Sequence, residues 1–377
     1  MGKQTTYESA GVNIGLGEKV SKIFYEAAKQ TWDNRKGDLG ELRVSYDDFS
    51  GGRFVNVAGL PEGTVMNMGF DGAGTKIEAA ERVNNHRTIA YDLFAMIFDD
   101  TVVRGGEPVL AGTILDVNSL GKDGKDHIKQ VKQLAQGYTD AANAARVVIV
   151  NGEVAELGNR VNGFGDFNYN WGGTVVWFAN EKRLFTGMEI KEGDSIVGLR
   201  EEGFRSNGLS LVRKILQEER GDNWHDDIFI GRNLGDQVLT PSTIYSSAVC
   251  EMSGGWNLDK KPKAEVHGVA HITGGGLPSK LGRVLRPSGL GADINKPFPV
   301  SDLIHHIQDV GGVSDEEAYK TWNMGQGMVI ITPEPSEVIE VARNYGIQAK
   351  EIGSVVKKRE IRIKSKGNFS KGEVLSF

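Results

Sequence analysis

Six consecutive residues, Asp71 to Lys76, place a carboxylate, two glycines, a hydroxyl and an ammonium in one short loop. Gly72 and Gly74 let backbone N–H groups approach phosphate oxygens, and Thr75 and Lys76 add further donors. Asp71 supplies a hard oxygen ligand for Mg²⁺. The spacing is not that of the Walker loop, which needs G-x-x-x-x-G-K-[ST]. The same string also describes a tight turn, so the loop alone does not decide the chemistry. Asp92 and Asp99 lie seven residues apart, about two helical turns along one face, and Asp100 is adjacent. Leu93 to Phe98 between them are apolar, and carboxylates buried there need a counter-charge or a metal. A solvated edge or a cap accounts for them as well. A third set, Asn151, Gly152, Glu153 and Glu156, follows the apolar run Arg146–Val150. Two strand ends bringing glycine and carboxylate to one sheet edge would suit a nucleotide with several Mg²⁺ ions.

In the second half, Ser206 and Asn207 stand before a helix as good N-caps. His271 and Thr273, followed by Gly274, Gly275 and Gly276, link a strand to a helix, a shape suited to an anion at the helix N-terminus. Asn323–Met328, with two glycines, reads as a bulge before a strand.

The elements that must position these residues follow from hydrophobic period. Val20, Ile23, Phe24, Ala27 and Ala28 mark a helix over 17–31; 88–104 reads as a buried helix and 125–145 as one with a polar face. Strands are expected at 64–70, running into the Asp71 loop, and at 108–117, 146–150 and 174–179. Residues 33–63, rich in Gly, Asp and Asn, read as loop with room for one short strand. After a reset around 185–193, strands (194–200, 264–270, 327–332, 348–356) again alternate with helices (207–219, 278–285, 300–309, 335–344). The tail after Lys357 reads as a closing strand with a frayed end. Both halves are therefore mixed α/β, with domains placed at 1–187 and 188–377.

Composition narrows the function class. With 377 residues, 39% hydrophobic and 25% charged, the chain has ample material for two globular domains. The net charge is -6 with signs intermixed, so no basic stripe for nucleic acid is offered. No apolar run approaches the roughly 18 residues of a membrane span, and residues 1–11 lack a signal-peptide core. Cys250 is the only cysteine, which excludes an internal disulfide and a thiolate metal cluster, and a cytoplasmic location is expected. Glycine, at 50 residues, is about twice its usual share of roughly 7%. Its small clusters beside Asp, Glu, Thr and Asn suggest close backbone approach to ligands.

Taken in order along the chain, the strings resemble the AIR synthase family, the phosphoribosylformylglycinamidine cyclo-ligases of purine biosynthesis. The pieces are Tyr7–Val12, Asp71–Lys76, His86–Ile89, Asp92–Met96, Asp100, Gly105–Pro108, Gly152–Glu156, Ser206–Lys214, Pro241–Tyr245, His271–Gly276 and Asn323–Met328. The resemblance implies an α/β two-domain fold. Its N-terminal domain would contribute strands to a barrel shared across a homodimer, and its C-terminal domain would be mixed α/β. It implies an inter-domain cleft completed by the partner subunit. There ATP and formylglycinamidine ribonucleotide become aminoimidazole ribonucleotide, ADP and phosphate. It implies Mg²⁺ and the ATP phosphates at Asp71, Asp92, Asp100 and Glu153. Gly72, Gly74, Thr75, Lys76 and Gly152 would line the phosphate path. Ser206, Asn207, His271 and Gly274–Gly276 would face the ribonucleotide, with Asp71, Lys76, Asp92 and His271 as the catalytic set.

The chain also departs from the family. Arg205 stands where the family usually has His; Arg can grip an anion but cannot act as a general base. Asp99 replaces a usual Asn and adds a negative charge beside the presumed metal. Val154 and Gly158 replace a hydroxyl residue and a proline. The glycine-rich segment before the first strand survives only faintly in Asp47–Phe54, and Asn162–Trp171 has no counterpart. Alternatives in the same superfamily are thiamine-monophosphate kinase, the hydrogenase-maturation dehydratase and selenophosphate synthetase. The last is disfavoured by the lack of an N-terminal cysteine. A non-catalytic nucleotide-binding paralogue is the contrasting class.

Overall fold

A computed structural model describes residues 13–45, 51–122 and 124–377. The Tyr7–Val12 motif and Asp47–Ser50 lie outside the described residues.

The first half is built on a four-stranded sheet. Its strands are β1 (Thr64–Gly72), β2 (Glu107–Val117), β3 (Val148–Glu156) and β4 (Tyr169–Asn180), in the order β1-β4-β2-β3. β4 is antiparallel to both β1 and β2, and β2 and β3 run parallel. Helices α1 (Ile14–Lys29), α2 (Ile77–Val83), α3 (Ile89–Val102) and α4 (Ile128–Ala145) accompany them. α3 packs on β1 and β4, and α1 and α4 extend that layer towards β3. α3 is apolar on nearly every side: Leu93, Phe94, Ala95, Ile97 and Phe98 are all buried, as an inner helix requires. The opposite face of the sheet is different. Met66, Met68 and Phe70 alternate along β1 at 58%, 46% and 72% exposure, and Ile114 of β2 stands at 57%. A sheet face with this apolar content has the character of a contact surface.

β3 departs from expectation. The apolar stretch suggests an end at Val150, with Asn151–Glu156 as the loop beyond. Instead, parallel pairing with β2 carries the strand on to Glu156, after a register shift at Ala111/Gly112. The expected loop at 33–63 likewise contains a short hairpin, Leu42–Val44 with Arg53–Val55.

The second half carries a seven-stranded sheet. Its strands are β5 (Ser195–Arg200), β6 (Gly268–His271), β7 (Gly291–Ile294), β8 (Gln326–Thr332), β9 (Ala349–Val356), β10 (Ile361–Lys364) and β11 (Val374–Ser376). The order is β6-β8-β5-β9-β7-β10-β11. Helices α5 (Leu209–Arg220), α6 (Ser246–Ser253) and α7 (Gly276–Leu285) are the ones that matter for the site. No strand of either sheet crosses residues 181–194. The largest apolar cluster nevertheless spans both halves, from Phe94 and Trp171 to Phe204 and Trp322.

The start of the second sheet is clamped by an ion cluster. His267 bonds Asp194 Oδ2 through Nδ1 (2.6 Å) and Glu265 Oε1 through Nε2 (2.8 Å). Burial disfavours the charged ring, but the hydrogen bonds to Asp194 and Glu265 outweigh it and raise its pKa. The imidazolium is thus held more tightly folded than unfolded. Its stabilising contribution is complete below the unfolded value of about 6.5 and is lost as pH rises through the higher folded value. Urea unfolding at pH 6 and pH 8 should show lower stability at pH 8. His267→Gln should flatten that slope; an unchanged slope would discard the clamp as its source.

Candidate functional site

Three turns converge at the C-terminal end of β1. The first is the glycine loop, where Gly74 adopts φ 66. Loop residue Ala73 is tied by its N–H to Trp171 O of β4 (3.0 Å). The second is Arg205–Gly208; an added Cβ at Gly74 would lie 3.6 Å from Ser206 O, and Thr75 Oγ1 lies 3.3 Å from Ser210 Oγ. The third is the 271–276 turn between β6 and α7, where Gly275 and Gly276 take φ 92 and 60. A Cβ at Gly276 would sit 1.8 Å from Tyr319 O, so only glycine fits there. Asn207 Nδ2 is 3.5 Å from where a Gly274 Cβ would be, and Asn207 Oδ1 is buried with no hydrogen-bond partner.

Two carboxylates face this convergence. Asp71 is exposed at the end of β1, its Oδ1 accepting from its neighbour's N–H (Gly72, 2.7 Å). Asp100 ends the acidic pair on α3, its side chain 60% exposed, and Oδ1 contacts His271 Nδ1 at 2.6 Å. Desolvation raises the Asp71 pKa; the Gly72 N–H opposes this, and the Asp100 charge adds to it. Lys280, half-buried on α7, feels both carboxylates. Among the described residues no three His, Cys, Asp or Glu side chains converge to cage a metal. Burial raises the Asp100 pKa too, but the His271 hydrogen bond and nearby positive charge outweigh it and hold the group below the usual carboxylate range. An ionised Asp100 beside Asp71 fits Mg²⁺ carried largely by nucleotide phosphates.

Behind the open edge lie two buried ionic clusters. In one, Lys76 and Asp92, both fully buried, pair at 2.7 Å. Lys76 also donates to Thr240 O, and Asp92 Oδ1 accepts from Ser242 N (3.2 Å) and Ser242 Oγ (2.5 Å). In the other, the Arg205 guanidinium reaches Glu201 Oε2 (2.7 Å), Asp99 Oδ2 (3.0 Å), Thr243 O (2.8 Å) and His271 Nε2 (2.7 Å). Asp99 Oδ1 accepts from Tyr245 N and Ser246 N at 2.8 and 2.9 Å. Burial pushes Asp99 up to about 7, against the pull of Arg205. All its partners are donors, which favours the anion. Burial drives His271 down to about 4 although the Asp100 hydrogen bond pulls upward, so the ring is neutral. Arg205 holds φ 59, the left-handed region, at a cost of about 1–3 kcal/mol that the four contacts offset.

Comparison with known proteins places this arrangement. The model described as AIR synthase related protein, N-terminal domain, matches residues 55–176, and the corresponding C-terminal domain matches 191–366. The chain belongs to the AIR synthase family. Relatives include the phosphoribosylformylglycinamidine cyclo-ligases of Acetivibrio thermocellus (31% identical over 94% of this chain and 98% of that one) and Thermoanaerobacter sp. strain X514 (34%, 93% and 97%). That of Methanocaldococcus jannaschii is 32% identical, covering 94% of this chain and 93% of its own. Among solved structures, E. coli HypE, a hydrogenase maturation protein, aligns with a TM-score of 0.59 at 16% identity, covering 95% of this chain and 96% of that one. Thiamine-monophosphate kinase of Stenotrophomonas maltophilia gives 0.58 at 10%, covering 92% and 97%. These two share the fold.

Against the residues expected from the AIR synthase resemblance, the structure draws distinctions. Asp71, Gly72, Gly74, Thr75, Asp100, Ser206, Asn207 and the 274–276 glycines lie on loops that come together. Lys76 and Asp92 lie behind the loop with no exposure, paired through Asp92 Oδ1, while Asp92 Oδ2 is buried without a hydrogen-bond partner. Gly152 and Glu153 are also removed. Gly72, Gly172, Ile114 and Glu153 lie on one row across β1, β4, β2 and β3, so Glu153 is three strands away, about 14 Å at the usual spacing. Within one chain it does not share an ion with Asp71. It borders instead a cavity of about 380 Å³ lined by Phe24, Tyr25, Arg53 and Tyr138. Gly208, not Ser206 or Asn207, caps α5. Asp99 adds no free charge beside a metal, because Arg205 neutralises it.

Sequence reasoning missed Lys280, Ser242 and Glu201. Ser242 lay inside the Pro241–Tyr245 motif, a usable signal; for Lys280 the signal was its place one turn beyond Gly276. The Asn162–Trp171 segment is held by Glu81 of α2, which accepts from Phe164 N (2.9 Å) and Tyr169 N (3.3 Å). Phe164 then packs on Arg82 and His225, tying the segment to the second half.

Proposed function

We propose that this protein closes the ring of formylglycinamidine ribonucleotide to aminoimidazole ribonucleotide, using ATP, in purine biosynthesis. The observation that carries the reading is near-full-length similarity, at 31–34% identity, to proteins named for that reaction. The convergence of three loops on an acid pair supports it. Transfer of the γ-phosphoryl group to the formyl amide oxygen turns that oxygen into a leaving group. A ring-closing nitrogen then displaces phosphate. Such chemistry needs in-line positioning and charge neutralisation.

In this reading Gly72, Gly74 and Thr75 line the phosphate path, and Asp71 and Asp100 hold Mg²⁺, which supplies neutralising charge on the phosphoryl oxygens. Ser206, Asn207 and Gly274–Gly276 face the ribonucleotide, with the unpartnered Asn207 Oδ1 as an acceptor for it. Lys76 and Asp92 support the loop from behind. The apolar face of Met66, Met68, Phe70 and Ile114 supports a homodimer joined through the first sheet. The location that goes with this reading is the cytoplasm.

The test is purified protein with ATP, Mg²⁺ and formylglycinamidine ribonucleotide, monitoring aminoimidazole ribonucleotide. Sedimentation of the same sample should give twice the chain mass. ADP release independent of the ribonucleotide would point to another phosphoryl acceptor and overturn the assignment.

A further inference from the structure

We infer that Arg205 is a positioning residue that, together with Asp100, holds the His271 ring in one tautomer and plane and, through that ring, orients Asp100 where the three loops converge. The argument is one of donors and acceptors. A guanidinium has five N–H donors and no lone pair to accept with. At 2.7 Å from Arg205 Nη2, His271 Nε2 must therefore be the acceptor and carry no proton. The ring proton is left on Nδ1, which donates it to Asp100 Oδ1 at 2.6 Å. Both nitrogens are then committed, and the ring is only 3% exposed.

His271 accordingly has no free lone pair, and its role in this arrangement is that of a strut. What it supports is Asp100, whose carboxylate is otherwise largely in the open. Arg205 in turn is fixed on its other side by Glu201 and Asp99, two carboxylates from different halves of the chain. A lysine could neutralise those carboxylates, but its single nitrogen cannot hold them both while also facing His271 in a fixed plane. The left-handed backbone at Arg205 is consistent with a position whose direction, and not only its charge, matters.

The link to Mg²⁺ at Asp100 rests on the proposed function; the tautomer does not, so the two can fail separately. Nitrogen-15 NMR of the histidine rings in the full-length protein reads the tautomer directly. With seven histidines in the sequence, His271→Gln identifies the resonance. The expected result at neutral pH is a ring protonated on Nδ1 alone. Protonation on Nε2, or on both nitrogens, overturns the inference whatever the enzyme does. Arg205→Lys then separates positioning from charge. Asp100 still accepts from Nδ1, so the proton should stay there. The Nε2 side of the ring should be freed, moving the Nε2 resonance, and the Mg²⁺ concentration for half-maximal rate should rise by about 10–100-fold, the range for lost ligand support. Saturating Mg²⁺ should restore most of kcat. If Arg205→Lys leaves the Nε2 resonance and the Mg²⁺ dependence unchanged, Arg205 is a counter-charge only and the inference falls. Should that variant not fold, the spectrum of the unsubstituted protein still decides.

Discussion

Asp71→Asn is expected to cut formation of aminoimidazole ribonucleotide by roughly 10²–10³-fold while leaving stability within about 0.5 kcal/mol. The two halves of this expectation have separate physical sources. Asp71 is exposed and its only hydrogen bond is to its neighbour's N–H, which an Asn oxygen can keep. Nothing in the fold therefore depends on the charge. The charge itself is held at a disadvantage, since desolvation and Asp100 both raise the cost of ionisation. Asp71, set beside a second carboxylate with Lys280 as its counter-charge, is a group that a bound cation and its phosphates complete. Turnover measured beside a urea unfolding curve decides the matter. Activity within a few-fold of the parent in a folded variant would remove Asp71 from the phosphate site.

Lys76→Met should do the reverse, lowering stability by about 3–5 kcal/mol through the folded state. Met fills much of the same space, so the loss is electrostatic: Asp92 would lose its counter-ion at zero exposure, keeping Ser242 as its donor. The control is the double variant Lys76→Met with Asp92→Leu. Removing both charges together avoids the unpaired ion, so the double variant should be more stable than the single one. Chemical denaturation measures both. A loss under about 1 kcal/mol for the single change would mean that the pair is not the structural support described here.

Much of the architecture was legible because period and burial agree. The strands at 64–70, 108–117 and 174–179, and the helices at 88–104, 207–219 and 335–344, lie within a few residues of the observed elements. The failures have physical reasons. Asn151, Gly152 and Glu153 look like a turn, yet a parallel neighbour supplies the ladder that keeps them extended. β7 is four residues long and includes Asp293, and α6 has weak amphipathic character, so neither announces itself locally. The site divided the same way. Glycines and exposed acids at loop ends are visible in a linear string. Lys76 and Asp92, 16 residues apart, read as a phosphate contact and a metal ligand because nothing local shows that they pair with each other. Arg205 and Asp99 each read as an oddity; only the fold shows that one answers the other.

That last pair has a consequence for building hybrids. Asp99 belongs to the first half and Arg205 to the second, 106 positions along the chain. A chimera joined near residue 188 that kept Arg205 but took a neutral residue at 99 from a relative would strip the guanidinium of one of its two buried counter-ions. The reciprocal hybrid would carry a buried aspartate with no cation beside it. The two positions behave as one heritable unit, so a viable exchange between family members must move both or neither.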